Sequence, residues 1–446
     1  MLNIIISIFS VLIIFLSTKL YKIATGASIH KINLLNYSFW ILLIIAFIPS
    51  YLITIDNTFL WGGGDDVYQY IGRNKNTHYI AFASILWSFI AIPLSVIIAD
   101  RILINKNILT AFKLKNIETY RFGYNYNEKE AYNFIIIFSI IFSVIFYLNA
   151  INNAPILSLI SGSIRDMLVE RRDFNLGSDN SILKTIFNEE VIKLYMIFSL
   201  LSYYKTNNKK WRNIFIILFV NLVILNLSKG SLGPLLFLII SILFTRSIIT
   251  GKFIKIFELI LFFLILAVLF IFIKGADGNI FQVIIGPILG RFSSQILGFY
   301  YSLNFFPNSH DFLFFSSTGT EIHKLFGFPI NDNYGILMMK DYSIYGVENS
   351  GSGHFSSIYL AEAWANFGFL GLVISPFIVG FFLSLLQLIF TILKFNLFNL
   401  ALFVHIATSI PYDKDFVSFY YPLGFFIFSF GYFILIITSS YIKSIL

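Results

Sequence analysis

Three arginines lie close together in one polar stretch of the chain, and their side chains are suited to binding an anion. The sequence at 164–173 places them at Arg165, Arg171 and Arg172. A guanidinium group presents a planar fork of donors that matches phosphate oxygens, and it stays charged at physiological pH. Acidic residues in the same stretch also allow a salt-bridged surface helix. The sequence therefore leaves two interpretations open, an anion clamp and a local network of ion pairs.

Two further cations, Lys229 and Arg291, stand in apolar surroundings. Lys229 lies in a short Ser-Lys-Gly connection between two apolar segments. There it either extends to lipid headgroups or adds positive charge beside the N-terminus of the next helix, where free amides also favour an anion. The second interpretation is favoured. Arg291 is expected to pair with a carboxylate or to face a polar cavity, because an isolated arginine is costly in an apolar environment.

Histidine is concentrated in the stretch 274–368, which contains His310, His323 and His354. No His-x-x-x-His or His-Glu-x-x-His spacing occurs, so the sequence predicts no metal site. The chain also has no Walker lysine motif and no Gly-x-Gly-x-x-Gly after a strand, so no nucleotide or other cofactor is predicted. His405, inside an apolar segment, is either a site member or a buried, hydrogen-bonded residue, and the second interpretation is favoured.

The elements that must position these residues are membrane helices. Of 446 residues, 57% are hydrophobic and only 12% are charged. A soluble domain carries roughly 25% charged residues, so this chain has too little charge to cover a surface in water. The absence of cysteine excludes disulfides and thiolate metal ligands. The net charge of +8 is attributed to the cytoplasmic loops of a membrane protein, and not to the binding of nucleic acid.

Apolar segments of the length needed to cross a lipid bilayer, about 17–25 residues, predict about eleven helices. These segments are 2–18, 34–55, 78–99, 132–151, 188–204, 212–227, 231–246, 255–273, 369–393, 397–411 and 418–440. The first of them is taken as a membrane helix and not as a cleaved signal peptide, because no basic region precedes it.

Lysine and arginine fall on alternate connections, which sets the predicted orientation. They lie in the first, third, fifth, seventh and ninth connections and in the C-terminal tail. The positive-inside rule places these in the cytoplasm and the N-terminus in the periplasm. The other connections, including 152–187, then face outward. The predicted parts are an N-terminal membrane bundle at 1–273, a long periplasmic loop with short helices at 274–368, and C-terminal membrane helices at 369–446.

The end of the long loop carries a motif. Residues 353–371 read GHFSSIYLAEAWANFGFLG, with a small residue and a histidine, then an Ala-Glu-aromatic element, then Asn-Phe-Gly and another glycine. The motif resembles the segment that opens a late helix in the O-antigen polysaccharide polymerases, the Wzy group. The predicted layout is also similar to that family, with ten or more helices, a long outward loop late in the chain and a basic residue at a tight outward turn.

The resemblance implies an all-α, GT-C-like glycosyltransferase of the bacterial inner membrane. Such enzymes join oligosaccharide repeat units carried on undecaprenyl diphosphate at the periplasmic face. The growing glycan leaves its carrier and is transferred to the nonreducing end of a newly delivered lipid-linked unit. A polysaccharide chain-length regulator is a candidate partner.

The family's functional residues are assigned by their place in this layout. Catalysis would fall to His354 and Glu362, either of which could be the base. The residues for binding diphosphate and substrate would be Arg165, Arg171, Arg172, Lys229, Arg291, His323 and Tyr359. The lysine at 229 departs from the family, in which arginine is frequent at that place, and it cannot supply bidentate recognition of phosphate.

Alternative interpretations concern both one residue and the whole protein. Glu362 could instead cap its helix or pair with Arg291, and so only hold the loop. The protein could be an O-antigen ligase-like enzyme, although the His-Asn-x-x-Leu element that is frequent in ligases is missing after His354. It could also be a flippase or a secondary transporter, although no paired repeat of the kind typical of transporters is visible.

Overall fold

The computed structural model describes residues 2–30, 33–56, 71–103, 128–153, 189–228, 233–250, 296–316, 333–342, 357–392 and 397–410, with Phe416 and Phe419. All the regular elements in this part of the chain are helices, in agreement with the predicted all-α class. The helices are α1 (Leu2–Thr25), α2 (Leu34–Leu42), α3 (Ile48–Thr54), α4 (Lys75–Leu103), α5 (Glu128–Asn153), α6 (Glu189–Thr206), α7 (Lys209–Ser228), α8 (Gly233–Thr250), α9 (296–305), α10 (Tyr334–Tyr342), α11 (Tyr359–Ile392) and α12 (Leu397–Thr408). A π-helical turn at Leu43–Phe47 joins α2 to α3.

Five described stretches are long and apolar enough to cross a membrane, which is consistent with a helical membrane protein. They are Leu2–Thr25, Leu34–Thr54, Lys75–Ile102, Lys209–Ser228 and Tyr359–Phe390. The predicted span 255–273 lies outside the described residues, as does 418–440 except for Phe419. The count of about eleven spans, the GT-C-like class and the side on which each terminus lies therefore stay predictions.

Helix α11 begins at Tyr359, inside the stretch that the sequence assigns to the long loop. It is two helices end to end, because Gly368 has φ 57° and ψ −137° and interrupts the helical backbone. The predicted span 369–393 corresponds to the part of α11 after this break. The part before the break belongs to the predicted loop.

Helices α4 and α11 form an extensively packed pair. Gly380 lets their backbones approach closely, since a Cβ atom there would lie 2.4 Å from the carbonyl oxygen of Ile92. Beside this contact, Ser95 Oγ donates a hydrogen bond of 2.6 Å to the carbonyl oxygen of Phe377. Small residues and hydrogen bonds between helices are the usual means of association in a membrane, where burial of apolar surface gives little driving force.

Helices α6 and α12 form the centre of the remaining described helices. Val191–Ser202 and Leu397–Thr408 are buried at every position, because these largely apolar helices are enclosed by others. They run antiparallel, because Glu190 at the start of α6 lies beside His405 near the end of α12. Helices α7 and α8 pack against α6, and α5 packs against α7.

Candidate functional site

Two of the nine predicted site residues, Tyr359 and Glu362, lie within the described part of the chain. Both belong to the part of α11 that precedes Gly368. The other seven lie outside the described residues, and their roles stay predictions. They are His354, Arg165, Arg171, Arg172, Lys229, Arg291 and His323.

Tyr359 is fully buried where α11 meets α4. Its Oη donates a hydrogen bond of 2.9 Å to Ser88 Oγ on α4, and its ring packs edge-on against Phe419 at a centroid distance of 5.7 Å. The hydroxyl thus joins two helices, and contact of Tyr359 with a substrate stays a prediction.

Glu362 is also fully buried, with 0% of its surface exposed. Glu362 interacts with other residues of the protein. The alanines on either side of it, Ala361 and Ala363, are also fully buried. An enclosed carboxylate is costly unless it is paired or hydrogen-bonded. Its burial favours a role in holding the surrounding segments, which the sequence leaves open beside the role of catalytic base.

The residues that follow Glu362 bind the chain directly after α9. Trp364 Nε1 donates a hydrogen bond of 3.1 Å to the carbonyl oxygen of Phe306. The buried side chain of Asn366 accepts a hydrogen bond of 2.8 Å from the backbone nitrogen of Phe315. An indole and a carboxamide therefore satisfy two backbone groups of the long loop.

The break at Gly368 completes this contact. The backbone conformation there is one that essentially only glycine adopts, and a Cβ atom would lie 2.9 Å from the Phe312 ring. Because the helix is interrupted, the carbonyl oxygen of Ala365 accepts a hydrogen bond of 2.9 Å from the backbone nitrogen of Leu313. In this structure, the Asn-Phe-Gly element of the motif therefore forms a surface that binds the long loop.

Helix α9 anchors the same part of the loop to α3 and to the start of α4. Tyr300 Oη and Ser50 Oγ share a hydrogen bond of 2.7 Å. Asn304 accepts from Thr77 Oγ1 and donates to the carbonyl oxygen of Ile71, each at 3.0 Å. Burial raises the pKa of the Tyr300 hydroxyl above its usual range. Over its described part, the long loop is thus packed on the helices, as its apolar composition predicts.

A second polar group, which we call the charged cluster, consists of Glu190, Lys193, His405 and Ser409. Glu190 Oε2 lies 3.5 Å from His405 Nε2 and 4.0 Å from Lys193 Nζ. Lys193 Nζ donates a hydrogen bond of 3.1 Å to Ser409 Oγ, whose hydroxyl donates to Glu190 Oε2 at 3.5 Å. The cluster therefore joins the start of α6 to the end of α12.

The sequence singles out His405 but not its acidic and basic partners. Glu190 and Lys193 do not stand out in the sequence, because charge is ordinary at the end of a predicted span. The sequence does contain a signal for this cluster, namely an ionisable pair three positions apart in one apolar segment and a histidine in another. Ionisable residues within membrane helices usually mark functional sites. Lys193 and its partner Ser409 are 216 positions apart in the chain, a contact that local spacing does not reveal.

The helices and the polar contacts between them define this chain as a helical protein with the character of a membrane protein. Within the described residues, no group of three or more His, Asp or Glu side chains forms a potential metal site. No family model, curated protein or solved structure matches the chain. The likeness to the O-antigen polymerases therefore rests on residues 353–371 and on the predicted layout.

Proposed function

We propose that this protein is a membrane glycosyltransferase that polymerises oligosaccharide repeat units carried on undecaprenyl diphosphate. The glycan on one carrier is transferred to the nonreducing end of a new lipid-linked unit at the outer face of a bacterial inner membrane. The observation that carries the proposal is the position of the polymerase-like motif. The motif forms the first turns of α11, where the long loop is bound to the helices. It also contains the fully buried Glu362.

The chemistry of this reaction requires two kinds of residue. Lipid diphosphate leaves readily when its developing charge is stabilised, and arginine and lysine do this well in a site from which water is excluded. Arg165, Arg171, Arg172, Lys229 and Arg291 are the proposed groups. A sugar hydroxyl is a weak nucleophile, and a positioned base assists its attack on the anomeric carbon.

The burial of Glu362 favours a division of roles between the two candidate bases. A base must come within hydrogen-bond reach of the hydroxyl whose proton it takes, and Glu362 is enclosed by protein. We therefore assign Glu362 to holding the loop on α11 and His354 to taking the proton. Tyr359, which is bonded to Ser88, fixes the start of α11 against α4.

Deletion of the gene in its host bacterium tests the proposed function. Gel analysis of the surface glycan is expected to show loss of the polymer ladder, with a single repeat unit retained. Accumulation of finished polymer on its lipid carrier would instead indicate a ligase. Retention of single lipid-linked units on the cytoplasmic side of the membrane would indicate a flippase. An unchanged ladder refutes all three functions.

Complementation of the deletion then tests the assigned roles. The wild-type gene is expected to restore the ladder, and a His354→Ala gene is expected to yield single repeat units although the protein is present at a normal level. The matched control is His310→Ala, which makes the same change in the same loop at a half-buried imidazole that lies 2.8 Å from the carbonyl oxygen of Asp311 and packs against the Phe305 and Phe306 rings. Polymer of full length from the His354 variant contradicts the role of that residue as base.

A further inference from the structure

Two members of the charged cluster, His405 and Lys193, are buried among the helices. His405 is completely enclosed and Lys193 is nearly so, with 10% of its side chain exposed. Thr408, at the end of α12, shares a hydrogen bond of 2.8 Å between its hydroxyl and that of Ser241, and Ser241 lies at the middle of α8. Helix α12 therefore ends level with the middle of a neighbouring helix.

One member of the cluster is accessible. The side chain of Glu190 is 38% exposed, whereas the imidazole of His405 beside it is 0% exposed. His405 and Lys193 thus lie on the buried side of the carboxylate and limit its orientations. A molecule that enters this region meets Glu190 first, with the hydroxyl of the half-buried Ser409 next to it.

The composition of the cluster indicates which chemical group it suits. Within the described residues, Glu190 and Lys193 carry opposite formal charges, so the cluster suits a neutral polar group better than a diphosphate. It contains a strong acceptor in the carboxylate and strong donors in the ammonium group, side by side. A sugar hydroxyl both donates and accepts a hydrogen bond, and bonds to charged partners are stronger than those between neutral groups.

Ionisable groups inside a membrane bundle are costly, and they usually face a cavity or a substrate pathway. From the position of the cluster, its accessible carboxylate and its balanced charge, we infer that it binds hydroxyl groups of the saccharide portion of the lipid-linked substrate. Glu190 contacts the saccharide, and Lys193 and His405 are positioning residues that act through Glu190. This inference rests on the proposed polymerase function, because it names the part of that substrate which the described helices hold.

Steady-state kinetics of the full-length protein in lipid nanodiscs tests the inference. The probe is the undecaprenyl diphosphate-linked repeat unit extracted from the deletion strain, and polymer formation is followed as its concentration is varied. Glu190→Gln is expected to raise KM about ten- to a hundred-fold, the range for loss of a hydrogen bond to a charged group, while kcat stays within a few-fold of the wild-type value. Glu190→Asp, which keeps the charge on a shorter side chain, is expected to raise KM less.

The matched control is Glu189→Gln, which makes the same chemical change one position earlier and is expected to keep the wild-type KM. The positioning role predicts that His405→Gln raises KM in the wild-type protein but adds little in the Glu190→Gln background. A change that only loosened the helices would lower the unfolding temperature, so this temperature is measured for each variant.

Two different results are negative, and they are distinguishable. If the wild-type protein forms no polymer from the extracted repeat unit, the proposed function is refuted and the inference falls with it. If the wild-type protein forms polymer and Glu190→Gln keeps its KM, or if Glu189→Gln raises KM equally, the inference alone is overturned.

Discussion

Replacement of Gly368 by alanine tests the interruption of α11 directly. The backbone at this position has φ 57° and ψ −137°, a conformation that costs a residue with a Cβ atom on the order of 1–3 kcal/mol. The new Cβ would also lie 2.9 Å from Phe312, so the ring has to shift. We expect a loss of stability of about 2 kcal/mol or more, which is about a 30-fold change in the folding equilibrium.

The two contributions are separable with a second substitution. Phe312→Ala removes the obstructing ring, although it also removes the edge-on packing of that ring against Trp364 at 5.8 Å. In the Phe312→Ala background, Gly368→Ala is expected to cost less than in the wild-type protein, but still to show the backbone contribution. The measurement is the unfolding temperature of the four purified proteins, followed by tryptophan fluorescence and size-exclusion chromatography.

Two results of this cycle would refute the reasoning. An unfolding temperature unchanged by Gly368→Ala would mean that the helix tolerates a side chain and that the break is not required. A cost that disappears completely in the Phe312→Ala background would show that steric overlap is the whole effect and that the backbone is unstrained.

The remaining predictions concern the contact between α4 and α11. Tyr359→Phe removes the hydroxyl that bonds to Ser88, and we expect the modest loss of about 0.5–1.5 kcal/mol typical of one hydrogen bond; a much larger fall in the unfolding temperature would contradict this simple role. Gly380→Ala places a Cβ atom 2.4 Å from the carbonyl oxygen of Ile92 and is expected to destabilise the protein by at least about 1–3 kcal/mol, the range for overpacking. Size-exclusion chromatography should then show less monodisperse protein, and an unchanged yield and unfolding temperature would argue against the close approach.

The general class of the fold was predictable from the sequence because a bilayer sets a characteristic helix length. The beginning of α11 at Tyr359 was not predictable in the same way. Residues 359–367 include Glu362 and Asn366, which lower the local hydropathy, so the segment is typical of a loop by that measure. Its helix is stabilised by burial against the loop segment after α9, a tertiary effect that hydropathy does not contain.

The candidate site was predictable only at the level of residue types. The motif singles out Glu362, but its full burial depends on packing and not on spacing. Glu190, Lys193 and His405 come together because α6 and α12 are antiparallel, and nothing in either segment by itself specifies the other as its neighbour. The proposed anion-binding arginines lie outside the described residues, and their convergence stays a prediction.

The break at Gly368 also has a consequence for how the protein accommodates its lipid surroundings. The part of α11 after the break, residues 369–392, is about 36 Å long at the usual helical rise, slightly more than the roughly 30 Å hydrocarbon thickness of a typical bilayer. A helix longer than the bilayer is thick usually tilts. Because the helical axis is interrupted before this part, the preceding turns keep their own direction and their hydrogen bonds to the loop, while the part after the break shares its direction with α4, against which it packs. The break thus lets the turns that hold the loop and the longer apolar part of α11 take different directions.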